Sequence, residues 1–156
     1  MLSIACLSYY FADKDALKGN EFEFEPIKEV AFIFIGIFFT MMPALQLVGA
    51  FAASPEGKAM IDVNVLYWGT GALSGVLDNA PTYVNFLTAA ISAKGGDVSV
   101  MSDVKDFAAG SGVFDTGDGG LEARVMLTAI SVASVFFGAM TYIGNAPNFM
   151  VKSKTS

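Results

Sequence analysis

The chain is 156 residues long and 54% hydrophobic, with nine basic and fifteen acidic side chains and a net charge of −6. It has no histidine and one cysteine, Cys6, which excludes Ser-His-Asp and Cys-His catalysis, an intrachain disulfide and a zinc thiolate site; its scattered lysines and single arginine make no basic patch for nucleic acid. Three windows, 30–53, 63–93 and 125–151, hold one charged residue between them, Asp78, and are apolar all round, which excludes soluble amphipathic helices and implies an integral membrane protein.

Residues 1–12 read as the end of a helix. No Lys or Arg precedes the apolar stretch, as a signal peptide requires, and twelve helical residues reach only about 18 Å. A polar connection over 13–29 carries six acids and three lysines. Pro26 suits the first turn of the helix that follows. The run 30–53 extends about 36 Å as a helix, enough to span a bilayer, with a bend expected at Pro43. Its Phe32–Phe39 stretch and Met41 and Met42 read as lipid-facing or packing residues.

After a polar break at 54–62 comes the segment 63–93, in two pieces of which neither spans a bilayer comfortably alone. Val63–Leu77 gives about 22 Å of helix and Thr82–Ala93 about 18 Å, separated by Asp78-Asn79-Ala80-Pro81. The pieces form either one long broken helix or a re-entrant hairpin with its tip at that tetrapeptide. Tyr67 and Trp68 read as interfacial anchors. Residues 94–124, rich in Gly, Asp and Ser, read as an exposed loop, and Asp115 to Asp118 as a solvated turn without the ligand spacing of an EF-hand. A helix from Val125 to Ile143 should unwind at Gly144-Asn145-Ala146-Pro147 within the segment 125–151. The four connections carry three, one, three and two basic residues, so the positive-inside rule gives no orientation.

An internal repeat carries the chemistry. Leu77-Asp78-Asn79-Ala80-Pro81-Thr82-Tyr83 and Ile143-Gly144-Asn145-Ala146-Pro147-Asn148-Phe149 share one pattern at a spacing of 66 residues. Each has a helix-breaking proline inside an apolar stretch, and small residues for close helix packing precede both. Backbone groups freed at membrane depth need protein, water or an ion as partners. Asn79, Thr82, Asn145, Asn148, Thr141 and Ser74 offer the neutral hard oxygens that sodium binds, and Asp78 offers the charge. Asp78 also suits the N-cap of the half-helix after it, a role compatible with ion binding.

At these residues the chain resembles the ion transporter superfamily, in particular the bacterial citrate transporters and NhaD-type sodium/proton antiporters. The matching blocks are 24–30 with 34–38 and 42–45, then 73–83, then 135–152. The resemblance implies an all-α integral membrane fold of two inverted repeats, each with spanning helices, a re-entrant hairpin and a discontinuous helix, in the bacterial inner membrane. This chain is similar to the second repeat only, which makes it a truncated C-terminal repeat forming a single membrane domain. Its expected partners are the bilayer, the missing N-terminal repeat and a second copy in a homodimer. The hairpin tip and the helix break would then share one cation site formed by Ser74, Asp78, Asn79, Thr82, Thr141, Gly144, Asn145 and Asn148, with Pro81 and Pro147 setting the breaks. Asp78, Asn79 and Asn145 would hold sodium as coupling ion, with no other cofactor. The expected activity is sodium/proton antiport; sodium-coupled citrate or dicarboxylate transport is the rival, and a structural subunit or inactive remnant the third reading. No nucleophile–base pair suggests an enzyme.

Overall fold

The computed structural model describes Tyr10, Phe11 and residues 25–141, and every regular element among them is helical. The chain divides into two compact units, 1–34 and 35–156. In the first, Tyr10 and Phe11 are helical and meet edge to face, with ring centroids 5.6 Å apart. The rest of the expected helix end over 1–12 lies outside the described residues.

Helix α1, Glu25–Ala53, starts before the apolar run and continues through Pro43 without a break in its assignment. Its 29 residues reach about 43 Å, more than the roughly 30 Å of a hydrocarbon core. Only 6% of its most apolar window is buried, with Phe39 and Leu47 among the exposed residues. A core helix of a soluble protein buries such a window against protein, whereas a spanning helix can turn it to lipid. Ser54 then caps the short α2, Pro55–Met60, by accepting from the Gly57 N–H.

Asp62 caps α3, Val63–Ser74, through the Val65 N–H at 2.7 Å. Residues 75–78 turn the chain into α4, Asn79–Ala93. Ser74 reaches Asn79 across the turn, and a methyl on Gly69 would meet the Phe86 ring at 3.0 Å. Contacts that pair off symmetrically about the turn mean that α4 runs back along α3. Of the two arrangements open to the sequence, the pieces fold as a helical hairpin.

The last described helix, α6, spans Leu121–Met140 and packs most extensively on α3. It begins four residues before the expected Val125, because Asp118 Oδ2 accepts the Glu122 N–H and the Arg124 side chain donates to Gly119 O. That first bond holds the Asp118 carboxyl below the usual carboxylate range. The helix ends earlier than expected as well: Thr141 is already extended, at φ −111° and ψ 153°.

The segment 94–124, expected as an exposed loop, is largely structured. It contains α5, Met101–Ala109, and a 3-10 turn, Gly112–Phe114. Phe107 and Phe114 are 0% and 2% exposed and stack edge to face at 5.2 Å. They join Leu66, Leu87, Ile91, Met126 and Ile130 in one apolar core. The physical reason is the spacing of Met101, Val104 and Phe107, which gives a short helix an apolar edge amid polar residues. Glycine permits the tight return: Gly110 (φ +67°) and Gly120 (φ +71°) touch backbone to backbone, where an added Cβ would clash. Phe107→Ala is expected to lower stability by about 3–5 kcal/mol, whereas a change in a solvated loop stays within about 0.5 kcal/mol. A thermal melt of the purified chain in detergent distinguishes the two.

Along the hairpin the interior changes character. At helical spacing on α3, Leu66, Thr70 and Ser74 are all buried. Toward the tip, buried Thr82 on α4 and Ser134 and Gly138 on α6 continue the change from apolar to polar or small. The interior is therefore built of hydroxyls and small residues toward the tip at Asp78, while the large apolar side chains gather at the other end with Thr88 and Ser92 among them.

Candidate functional site

The parallel course of α3 and α6 points both helices toward one end. The Phe137 ring lies against Gly71, and the Thr141 methyl lies against Gly75. Both pairs are separated by 66 residues, the same interval as the repeat. The helices that lead into the two motifs are thus in register. Thr141, two residues before the second motif, flanks the start of the first. Gly144, Asn145, Pro147 and Asn148 lie outside the described residues.

At the tip, Asp78 is the N-cap of α4 and accepts from the Asn79 N–H at 2.9 Å. Its capping role is therefore realised. Asp78 is half-buried and lines a cavity of about 270 Å³ that Thr40 of α1 and Pro81 and Asn85 of α4 also line. The neighbouring residue turns elsewhere. Asn79 packs onto Gly138 of α6, where an added Cβ would overlap its side chain. Asp78 and Asn79, grouped by sequence in one set, thus face two sides of the hairpin. Thr82 is fully buried and donates to the Asp78 carbonyl at 3.0 Å.

Ser74 fastens the tip to α6. Its Oγ lies 2.5 Å from the Ser134 carbonyl and 2.9 Å from the Asn79 side-chain amide. A hydroxyl has one proton, and a carbonyl can only accept it, so Ser74 donates to Ser134 and presents lone pairs to Asn79. Asn79 must then turn its Nδ2–H to Ser74 and its Oδ1 the other way. Oxygen and nitrogen of an amide are exchangeable in placement, and the hydrogen-bond chemistry assigns them. Ser74, expected among the ion-surrounding residues, acts in the structure as the residue that orients Asn79.

Gly138, Ser134, Thr40 and Asn85 were not singled out as site residues by sequence. A signal existed for Thr40, the one polar side chain between residues 30 and 43. Gly138 had been visible only as one of several small residues before the second motif.

The basic groups of the hairpin and α6 sit at the opposite end. Lys94, the C-cap of α4, pairs with Glu122 at 2.6 Å, and Arg124 lies in the first turn of α6. Among the described residues, no cluster of three or more His, Cys, Asp or Glu could hold a metal ion. The Asp115 and Asp118 carboxylates accept backbone N–H groups of Gly117, Gly119, Gly120 and Glu122, in keeping with a solvated turn.

In comparison with known proteins, a family model described as "Putative citrate transport" matches residues 1–156. Neither the curated proteins nor the solved structures yield a match.

Proposed function

The chain belongs to the citrate transport family, and from that premise we propose that it is a secondary transporter protein of the bacterial inner membrane, working by sodium/proton antiport. The observation that carries this reading is the composition of the tip. One carboxylate, Asp78, stands at the tip end of the hairpin beside the neutral side chains Thr40 and Asn85, while Lys94 and Arg124 are at the other end. Hard neutral oxygens with one carboxylate suit a monovalent cation, and an intramembrane carboxylate is costly without a functional return. In this reading sodium and a proton compete for the one carboxylate. In this reading 63–93 is a re-entrant hairpin and 125–151 a discontinuous helix. The hairpin and α6 move together against a scaffold that includes α1. Gly144, Asn145 and Asn148 complete the sodium shell.

The test is proton release on sodium addition to inside-out membrane vesicles from cells expressing the chain. Exchange is expected with the wild-type chain and is expected to be lost in Asp78→Asn. Normal exchange by that variant removes Asp78 from the mechanism. The family match favours a second reading, sodium-coupled citrate uptake, in which the N-terminus of α4 faces the anion. Sodium-dependent uptake of labelled citrate without proton release would establish it instead.

A further inference from the structure

The cavity between α1 and the hairpin has an unusual set of polar walls. Three side chains bring oxygen to it: Thr40, Asp78 and Asn85. The Thr40 hydroxyl donates to the Gly36 and Ile37 carbonyls, both at 3.0 Å, which leaves its lone pairs as acceptors. Asn85 Nδ2 donates one of its two N–H groups to the Pro81 carbonyl at 2.9 Å, and its Oδ1 is an acceptor. Asp78 Oδ1 accepts the Asn79 N–H, and its Oδ2 has no partner among the described residues. The remaining walls, which include Ile37, Met41 and Leu77, are apolar.

Asp78 is the one charged residue lining the cleft, so the cleft repels a carboxylate and attracts a cation. The Asp78 charge offsets the positive end of α4, which would otherwise oppose a cation there. Two neutral oxygens and one carboxylate, without His or Cys, suit a hard monovalent ion. Asn79 faces α6 and takes no part.

We infer that the cleft between α1 and α4 is a cation-binding position of its own, in which Thr40 and Asn85 join Asp78 in holding sodium. It rests on the antiport reading of Asp78 and extends it to α1. A cation here touches both the hairpin and α1, so its arrival draws the two together and its departure releases them.

The experiment is sodium-dependent thermal stabilisation of the purified full-length chain in detergent, with choline at equal ionic strength as reference. Thr40 lies on an exposed face of α1, so Thr40→Val removes the hydroxyl at constant shape without endangering the fold. Thr40→Val and Asn85→Leu are each expected to raise the half-saturating sodium concentration by about 3- to 10-fold, the loss of one neutral ligand. Thr40→Ser, which keeps the hydroxyl, should match the wild type. Wild-type sodium response in Thr40→Val and Asn85→Leu, together with its loss in Asp78→Asn, overturns the cleft and leaves the antiport reading standing. A response that survives Asp78→Asn overturns both.

Discussion

Gly138→Ala is expected to displace Asn79 from Ser74 and to lower the melting temperature while leaving a folded protein. An ideal Cβ on Gly138 falls on the Asn79 side chain and 2.8 Å from Ser74 Oγ. The Asn79 amide must rotate away, which breaks its bond to Ser74 and disturbs a buried polar contact, at a cost of about 1–3 kcal/mol. Alanine in a helix interior returns about 1 kcal/mol relative to glycine. The balance is a net loss of up to about 2 kcal/mol. Gly36→Ala is the matched control, because a methyl there meets nothing within 4 Å. A melt of the two variants reads the difference. A Gly138→Ala protein no less stable than Gly36→Ala contradicts the close approach of Asn79 to α6.

Asn79→Asp is expected to destabilise the chain although the two side chains have almost the same shape. With the Ser74 proton held by the Ser134 carbonyl, a carboxylate at 79 faces lone pairs where the amide offered a proton. Losing that bond and leaving a half-buried charge poorly paired costs about 2–3 kcal/mol. The helix N-terminus favours the new charge by no more than about 1 kcal/mol. The net expectation is a melting temperature lower by several degrees. If Ser74 instead donated to Asn79, the substitution would create a charge-assisted bond and raise the melting temperature. The sign of the shift therefore reports the amide orientation directly, whatever the ion does.

Much of the architecture was legible from residue order. Unbroken apolar runs around a lone Asp78 identified the membrane segments, because a bilayer tolerates few charges and requires helices to satisfy their own backbone. The helical hairpin over 63–93 was legible as one of two options, since Asp78-Asn79-Ala80-Pro81 divides the segment into two half-length helices. The 94–124 segment was misread because Gly, Asp and Ser dominate it. The Val104–Phe107 edge that carries it into the core is only one turn long. Local composition describes a loop there, and the burial of two phenylalanines depends on contacts from distant elements.

The candidate site divides in the same way. Proline breaks and hard oxygens stand in the sequence because residue type and spacing set where a helix stops and what its side chains can bind. Which oxygens share a space is another matter. Asp78 and Asn79 are adjacent in the chain, yet the change from the extended N-cap at Asp78 to helix at Asn79 sends one toward α1 and the other toward α6. The partners they meet, Thr40 and Gly138, lie about forty and sixty residues away. Sequence by itself determined a helical membrane chain with two matched Asn-Ala-Pro motifs and a lone apolar-window charge, Asp78, in the first of them. Only the tertiary structure decided that Ser74 orients Asn79 and that Asp78 opens onto its own cleft, because both depend on long-range packing that no local pattern encodes.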